Sequence, residues 1–369
     1  MKKFLVLLLI SALLMTSVIG CGSKKEEASQ PEQKETQQQE TVTLKFACYS
    51  PEGHPYVVGR QYFADRAAEL SNGTLKIEYY PAGQLGKISD QLKLVENGTV
   101  DIAACSIPQF AGVFPISAVT QLPYWTTTEQ GFYIGQRVKD EIPEIAAEWK
   151  KHNCILLWAQ ATDAYEIASI KKPYFTPDAA KGVDMVTAGG WFDTMAKMCG
   201  IKPQFISPSD YYESAQKGIG GDGHIQPLVT YHNLKIYEFM KYMTWGLSMG
   251  STIIYMPINT NTWEKLSPEH QKVLMQAGQE AGELTVEKWN EKIPVVLEEY
   301  KKLGIEVHKT TPEEYEQWHS LLAGVDKLFV DQMKEKGVNN GQEILDKYKQ
   351  IAKEVCDKYP ATIIQNTQL

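Results

Sequence analysis

The amino-acid sequence predicts an α/β protein whose folded part is divided into two lobes. Segments with the periodicities of strands and of amphipathic helices alternate twice, first over residues 43–106 and again from residue 154. Residues 42–369 also exceed the roughly 250–300 residues at which a single hydrophobic core usually stops growing. Both observations favour two α/β units in one chain.

The first 41 residues are predicted to be an export signal followed by a tether. Residues 1–20 begin with two lysines and an apolar run from Phe4 to about Met15, which is nearer to a signal peptide than to the ~20 residues of a membrane span. The segment "VIGC" resembles the lipobox of bacterial lipoproteins, which implies that Cys21 becomes the lipidated first residue; a signal peptide cut elsewhere is the alternative. Residues 21–41 would then hold the lipid on Cys21 and form a flexible tether, because they contain almost no apolar side chain.

Composition and charge argue against several classes of function. The chain has 43% hydrophobic and 22% charged residues and a net charge of -8, and loss of Lys2 and Lys3 with the signal makes it more acidic. Nucleic acid is therefore not an expected partner. The cysteines after Cys21 show no CxxC pairing and the histidines form no HExxH motif, so we expect no disulfide framework, no metal site and no cofactor.

The first alternating unit runs from residue 43 to residue 106. Its predicted strands are "TLKFACYS", "TLKIEYYP" and "TVDIAACS", and the segments "PYVVGRQYFADRAAEL" and "ISDQLKLVE" between them have helical spacing. A β-α-β-α-β order of this kind is typical of parallel strands with helices on the sheet faces. Such sheets hold ligands at the carboxyl ends of their strands.

The second unit begins at residue 154 with the predicted strand "CILLWAQ". It continues with the strand "KGVDMVT", a helix from Trp191 to Met198, the strand "KPQFI" and the segment "YYESAQKG". A further strand, "STIIYMPIN" over residues 251–259, precedes three long amphipathic helices predicted at about 267–302, 311–336 and 342–358. We expect these helices to brace the two lobes.

A series of short motifs along the chain resembles a known family. In chain order the motifs are "PEGHP", "YPAGQLG", "ENGTVDIA", "LPYW", "KKPYFTPDAAKG", "DGHIQP", "KIYEFMKYMT" and "NTNTWEKLSPEHQKVL". Their order and spacing resemble the dicarboxylate-type substrate-binding proteins of TRAP (tripartite ATP-independent periplasmic) transporters. Such a protein is not an enzyme; it captures a solute and delivers it to the small and large permease subunits of an ion-driven transporter.

The resemblance implies a two-lobe, periplasmic-binding-protein-like fold of type II character, with a mixed sheet in each lobe and a long spanning helix. Residues 42–160, with about 250–290, would form lobe I, and residues 161–249, with about 291–369, would form lobe II. The lobes would close around one small solute, with chain crossings near residues 158–163 and 245–253. Together with the lipobox, this places the protein outside the cytoplasm, anchored by lipid at the outer face of the cytoplasmic membrane.

The resemblance implies arginines that bind a carboxylate of the solute, and this chain has other residues at those positions. The family position on the strand after Lys-Gly holds Val186, and a second arginine position falls at about Tyr165. The family asparagine of Asp-Gly-x-Glu-Asn-Pro is replaced by Gln226, and no arginine follows Arg137. A planar guanidinium binds both oxygens of a carboxylate, so its loss makes a small dicarboxylate a poorer candidate.

The predicted site is therefore aromatic rather than cationic. Val186 and the Gly189-Gly190 pair would form one wall, with Trp191 beside them and Gln226 opposite. The full set of predicted ligand-binding residues is Trp191, Val186, Tyr165, Gln226, Trp158, Asp163, His54, Trp125 and Trp245. Aromatic faces with a few carboxylates suit an aromatic, neutral or amine-bearing solute. The alternatives are a C4-dicarboxylate or other organic acid held by lysines or backbone groups and, for each tryptophan, a place in the core.

One motif points to a different class of protein. "GLSMG" over residues 246–250 fits the G-x-S-x-G pattern of serine hydrolases, with Ser248 as the nucleophile. That elbow needs a helix after the serine, whereas the β-branched segment "STIIYMPI" that follows is typical of a strand. We therefore expect no hydrolase site at Ser248.

Overall fold

The structure, a computed structural model that describes residues 41–207 and 210–362, contains two sheets of six strands each. The strands are β1 (Val42–Ala47), β2 (Leu75–Tyr80), β3 (Ile102–Ala103), β4 (Cys105–Ser106), β5 (Cys154–Ala161), β6 (Tyr165–Ser169), β7 (Asp184–Thr187), β8 (Lys202–Phe205), β9 (Gly223–Pro227), β10 (Tyr242–Trp245), β11 (Ile253–Asn259) and β12 (Glu306–Lys309). The helices are α1 (Pro55–Leu70), α2 (Gln91–Glu96), α3 (Ile107–Phe110), α4 (Thr128–Glu141), α5 (Pro143–Lys150), α6 (Pro177–Ala180), α7 (Trp191–Met198), α8 (Tyr211–Lys217), α9 (Leu228–Asn233), α10 (Thr260–Lys265), α11 (Pro268–Lys302), α12 (Pro312–Leu321), α13 (Val325–Glu335) and α14 (Gly341–Lys358).

Both sheets are mixed, as the resemblance implied. In the first sheet the order is β2-β1-β3-β11-β4, with β5 also paired to β11; β1 runs parallel to β2 and β3, and β11 runs antiparallel to its neighbours. In the second sheet the order is β12-β10-β6-β9-β7-β8, with parallel pairs at β7–β8, β7–β9 and β10–β12. The parallel pairs follow from the alternating strand–helix sequence, because parallel neighbours need a crossover helix.

The chain passes directly between the two sheets through two neighbouring segments, which we call the crossing segments. Residues 162–164 join β5 to β6, and residues 246–252 join β10 to β11. They are hydrogen-bonded to each other, since the N–H of Thr162 donates to the carbonyl of Thr252 (3.0 Å) and the N–H of Tyr165 to the carbonyl of Gly250 (2.9 Å). Both segments lie close to the predicted crossings; the division of the chain into lobes stays a prediction.

The long helix α11 is the predicted spanning helix. Along its 35 residues it packs against α1 and β5 beside the first sheet and against α9 and β12 beside the second. It begins at Ser267, whose hydroxyl accepts the N–H of His270, with a proline at the first helical position. Within residues 41–207 and 210–362, no helix is long and apolar enough to cross a membrane.

Several predicted elements have different bounds in the structure. The helix predicted at about 311–336 is two helices, α12 and α13, with residues 322–324 between them. The strand predicted in "TVDIAACS" is two short pieces, β3 and β4, interrupted at Ala104. By contrast, α7 has the predicted bounds, and α11 and α14 each begin within one residue of their predicted starts.

Candidate ligand-binding cleft

A cavity of about 400 Å³ opens where the strands of the two sheets end. The first sheet contributes the residues that follow β1 and β2 together with β4 and the start of α1. The second sheet contributes the residue after β7, part of β9 and helices α8 and α9, while Thr162 and Thr252 of the crossing segments lie at the back. This is where an α/β sheet is expected to hold a ligand, and the volume is that of a small-molecule site.

The lining of this cleft is aromatic and rich in hydroxyl groups. Its tyrosine, threonine and serine residues are Tyr49, Tyr56, Tyr165, Tyr211, Tyr212, Thr162, Thr230, Thr252, Ser50 and Ser106. Among the described residues that line it, none is an aspartate, a glutamate or an arginine, and Lys87 at the exposed rim is the one lysine. The walls can therefore stack on a flat solute and exchange many hydrogen bonds with it.

His54 caps helix α1 and faces the cleft as a neutral imidazole. Its Nδ1 accepts the N–H of Tyr56 (3.3 Å), and its ring stacks on that of Tyr56 with centroids 4.5 Å apart. Burial, together with the nearby charge of Arg60, lowers the pKa of His54 to about 3. Because Nδ1 is an acceptor, the ring hydrogen is on Nε2, so His54 offers the cleft one donor.

Tyr165 joins the cleft to the crossing segments. It begins β6, and its N–H and carbonyl bond to Gly250 and Met249 of the second crossing segment (2.9 Å each). Its ring stacks on Phe192 of α7, with centroids 3.9 Å apart. The position that would hold the second family arginine thus presents a fixed aromatic face.

Gln226 is held in a chain of hydrogen bonds that fixes its orientation. Its Nε2 donates to the hydroxyl of Tyr211 (2.8 Å), and that hydroxyl donates to the carbonyl of Thr187 (3.4 Å). Its own N–H donates to the hydroxyl of Tyr231 (3.0 Å). The amide oxygen of Gln226 is therefore left as an acceptor for a solute.

The predicted wall formed by Val186 and Trp191 does not line this cavity. Val186 is fully buried beneath Gly220, where an added Cβ would lie 2.6 Å from its Cγ2 atom. Trp191 is buried with its ring near Phe329 of α13, at a centroid distance of 5.9 Å. Ala188 is the residue of this loop that reaches the cleft.

The two glycines of the loop have backbone conformations that favour glycine, and neither lines the cleft. Gly189 and Gly190 have φ values of +84° and +61°, which L-residues with side chains rarely adopt. A Cβ at Gly190 would lie 2.8 Å from Oε1 of Gln121, and that same oxygen accepts the N–H of Trp191 (3.2 Å). The glycines allow the loop to approach the elements around the first sheet.

The three other predicted tryptophans are also core residues. Trp125 donates to the carbonyl of Thr120 (3.1 Å), and Trp158 packs against Gly278 of α11, where an added Cβ would lie 2.7 Å from its ring. Trp245 is 2% exposed in β10. Their size places them in the interior, because a large ring gains most when it is removed from water.

Asp163 lies behind the cleft in the first crossing segment. It is 3% exposed, neither carboxylate oxygen has a hydrogen-bond partner among the described residues, and it borders a small cavity of about 10 Å³ with Trp245. Burial, reinforced by nearby Glu166, raises the pKa of Asp163 well above its usual range. Since it does not line the cleft, it offers no direct counter-ion to an amine there.

The G-x-S-x-G segment forms no nucleophile elbow. Ser248 belongs to the second crossing segment and is followed by strand β11, as predicted. The nearby His319 bonds to the carbonyl of Leu247 (3.0 Å), and the N–H groups of Gly246 and Leu247 bind the carboxylate of Glu166 (3.0 Å each). The segment is thus a backbone turn that holds a buried carboxylate.

Within the described residues, no group of three potential metal-binding side chains is found.

Sequence reasoning missed most of the first-sheet side of the cleft. Tyr49 and Ser50 lie two and three residues after β1, and Tyr56 is the second residue of α1, so a strand end followed by a helix start was the available signal. Arg60, fully buried behind these residues, was missed as well. Of the nine predicted residues, His54, Tyr165 and Gln226 line the cleft; their contact with a solute stays a prediction.

Comparison with known proteins identifies a family and a fold. The family model for bacterial extracellular solute-binding protein, family 7, matches residues 46–359. The C4-dicarboxylate-binding protein DctB of Bacillus subtilis is 25% identical over 305 residues, which cover 79% of this chain and 83% of that protein.

Solved structures share the fold at lower identity. A marine metagenome TRAP solute-binding protein specific for aromatic acid ligands, in complex with 3-hydroxybenzoate, superposes with a TM-score of 0.77 at 20% identity, covering 86% of this chain and 99% of that chain. A TRAP periplasmic solute-binding protein from Roseobacter denitrificans with bound β-D-glucuronate gives a TM-score of 0.73 at 18% identity, covering 85% and 99%.

Proposed function

Because the chain belongs to bacterial extracellular solute-binding protein family 7, we propose that it captures a small organic solute in the cleft between its two sheets and delivers it to the membrane subunits of a TRAP transporter. The family and the solved structures that it resembles are solute-binding proteins, so the chain is a binding protein and not an enzyme. The observation that carries the proposal is the cleft of about 400 Å³ at the carboxyl ends of the strands.

The lining of the cleft supports a solute that is flat or hydroxylated. Tyr165 and Tyr56 present aromatic faces, and the Gln226 amide oxygen and the His54 Nε2–H offer one acceptor and one donor. Of the three kinds of solute that the sequence favoured, an amine has the least support, because no carboxylate lines the cleft among the described residues. The aromatic acid bound by a relative with the same fold is consistent with a flat solute.

A thermal-shift screen of the purified protein tests the proposal. The panel would contain aromatic acids, sugar acids, neutral sugars, amines and C4-dicarboxylates. A solute at ~100 times its dissociation constant should add about 2.7 kcal/mol to the free energy of unfolding. Tyr165→Ala removes one aromatic wall and serves as the control that should lose the shift. A panel in which no solute stabilises the wild-type protein more than this variant would contradict the proposal.

We also propose that the protein is held at the outer face of the membrane by a lipid on Cys21. The support is the lipobox-like "VIGC" after an apolar run that is short for a membrane span. Cys21 and the tether lie outside the residues that the structure describes. An anchored receptor would stay near the permease subunits, which raises the effective concentration of loaded receptor at the transporter.

A further inference from the structure

Arg60 of α1 is a buried cation without a carboxylate partner. It is 0% exposed, its Nε donates to Oε1 of Gln160 (2.8 Å), and its Nη1 donates to Sγ of Cys48 (2.8 Å) and Oγ of Ser50 (3.0 Å). Its Nη2 has no hydrogen-bond partner among the described residues, and none of their carboxylates forms an ion pair with it. Burying a charge without an ion-pair partner costs free energy of folding. A buried arginine of this kind therefore suggests a functional role.

The guanidinium lies directly behind one wall of the cleft. Its Cζ atom is 5.1 Å from the ring centroid of Tyr56 and 5.8 Å from that of Tyr49, and both rings line the cleft. Ser50, which accepts a hydrogen bond from Arg60, lines it too. The charge is therefore one side chain away from a bound solute and acts in a setting largely shielded from water.

Ser50 links Arg60 to the cleft, because its hydroxyl is bonded to the guanidinium and the residue lines the cleft. Because its oxygen accepts from Nη1, the hydroxyl hydrogen is free to point elsewhere, and no acceptor among the described residues takes it. A hydroxyl polarised by a guanidinium is a stronger donor than a free one, since hydrogen bonds in a chain reinforce one another. Its best partner is an oxygen that carries negative charge.

The rest of the cleft agrees with an anion. The described lining residues include no carboxylate, and Lys87 adds a positive charge at the rim. The buried carboxyl of Asp163, in the first crossing segment, does not line the cleft, and burial raises its pKa, which favours its neutral form. Thus the positive charge of Arg60 is opposed by no negative charge in the wall.

We propose that Arg60 and Ser50 form the charge-selecting element of this cleft, with Arg60 as a positioning residue and Ser50 as the contact to an anionic oxygen of the solute. The element stands on α1 and the segment after β1, on the first-sheet side of the cleft, whereas Ala188 after β7 lines it from the second sheet. The inference rests on the proposed function, because it assigns the charge of the solute that the cleft takes.

Isothermal titration calorimetry with uncharged and charged analogues of the same solute tests this element. The probes form three sets. The first contains benzoate, benzenesulfonate, benzamide and benzylamine, the second contains succinate and succinamide, and the third contains glucuronate and glucose. We expect the anion of at least one set to bind the wild-type protein at least tenfold tighter than its neutral or cationic analogue. Ser50→Ala should lower that anion's affinity about tenfold and bring the ratio of anion to neutral affinities towards one.

Variants of Arg60 and of a neighbouring arginine separate charge selection from folding. Arg60→Met should abolish the preference for the anion, while Arg66→Gln, on the same helix but paired with Glu280 (2.6 Å), should leave it unchanged. Ser50→Ala keeps the test decisive if Arg60→Met does not fold. Equal or tighter binding of the neutral or amine analogue would overturn the inference. An anion preference that is unchanged in Ser50→Ala would also overturn it. In both cases the proposed function would remain supported, because a solute binds. Binding of none of the probes would overturn the inference, and the proposed function would then be judged by the wider screen.

Discussion

Aromatic residues of this protein divide into those that face the cleft and those that fill the core. Tyr165 lines the cleft with its ring on Phe192 and its backbone fixed by a crossing segment. Trp191 begins the helix that carries Phe192, yet its ring packs near Phe329. The two residues therefore give a matched test of which aromatic face a solute meets.

We predict that Tyr165→Leu weakens solute binding about tenfold, because it removes a stacking face worth about 0.5–1.5 kcal/mol together with part of the apolar area that the ring buries. Trp191→Phe should keep affinity within about threefold while lowering the free energy of unfolding by roughly 1–3 kcal/mol, as a core substitution does. Calorimetric titration and urea unfolding measure both effects. Loss of binding in a folded Trp191→Phe protein would instead place Trp191 in the site, as the sequence predicted.

Glu166 is a buried carboxyl that binds the second crossing segment. It accepts the N–H groups of Gly246 and Leu247 (3.0 Å each) and the hydroxyl of Thr244 (2.9 Å). Burial raises its pKa from 4.5 to about 7, and these hydrogen bonds oppose the shift only in part. The folded protein therefore holds this proton more tightly than the unfolded chain does.

We predict that Glu166 makes stability fall with rising pH. The contribution is fully present below about pH 4.5, and it is lost as the pH rises to about 7, because over that range the folded state binds more protons. The slope cannot exceed about 1.4 kcal/mol per pH unit for one group. Urea unfolding at pH 5 and pH 8 measures it as the difference in pH dependence between the wild type and Glu166→Gln, because the shifted pKa values of Asp163 and His54 give both proteins a further pH dependence.

Glu298→Gln, an exposed change on α11, serves as the control and should behave as the wild type does. A wild-type protein and a Glu166→Gln variant with the same pH dependence would show that Glu166 ionises normally.

Helices α1 and α11 approach so closely that glycine is required between them. A Cβ at Gly59 of α1 would lie 2.0 Å from Oγ1 of Thr285 and 2.9 Å from the carbonyl of Ala281, both on α11. A second glycine of α11 faces a different helix, since a Cβ at Gly282 would lie 2.0 Å from the ring of Phe132 of α4. This contact fixes the long helix against the first sheet while its other half packs against the second.

We predict that Gly59→Ala destabilises the protein by roughly 1–3 kcal/mol, as overpacking does. The sign is informative, because alanine is favoured over glycine in a helix by about 1 kcal/mol and would otherwise stabilise it. Gly112→Ala is the matched control, since an added Cβ there has no atom within 4 Å. Denaturant midpoints of the two variants provide the comparison; a stabilised Gly59→Ala protein would mean that α1 and α11 are further apart than described.

At the scale of the whole molecule, two hydrogen bonds of the described residues join the loop after β7 to the first-sheet side of the cleft. Nε2 of Gln109 donates to the carbonyl of Ala188 (3.4 Å), and Oε1 of Gln121 accepts from the backbone of Trp191 (3.2 Å). The crossing segments behind the cleft are a short hydrogen-bonded pair. A short hydrogen-bonded pair of connecting segments of this kind is a suitable pivot for domain closure.

We predict that a bound solute compacts the protein without changing its secondary structure, because closure alters the angle at the crossing segments and not the sheets. Small-angle scattering should show a smaller radius of gyration with a solute from the thermal-shift screen, and far-ultraviolet circular dichroism should be unchanged. An equal radius of gyration with and without a verified solute would argue against closure.

The predicted lipid anchor can be tested in the cell. Cys21→Ala removes the thiol that would carry the lipid, so the protein should leave the membrane fraction or keep its signal uncut. Cys356→Ala, a change of another free cysteine, is the control for loss of a thiol. Fractionation and mass measurement of the processed chain report the result; a Cys21→Ala protein that is processed and retained as the wild type is would rule out the anchor.

The sequence by itself determined the α/β class, the order of the main elements and the ends of α7 and α11. These features depend on local periodicity, on proline at helix starts and on Asn-Gly stops, which act over a few residues and are written in the chain. His54 could be predicted for the same reason, because it stands after a strand, where α/β sheets hold ligands. Gln226 was predicted from the resemblance, as the residue at the family's asparagine position.

Only the tertiary structure decided which side chains meet in the cleft. A tryptophan in the core and a tryptophan in the cleft have the same local sequence pattern, because the hydrophobic effect favours any removal of apolar surface from water. Trp158 is therefore in the core, although its strand leads to the site. Arg60 is the converse: a charged residue on an amphipathic helix is expected to face water, and the packing of α1 against the β1 end and α11 instead encloses its charge beside the cleft. Burial of one residue depends on elements far away in the chain, and local sequence does not encode their positions.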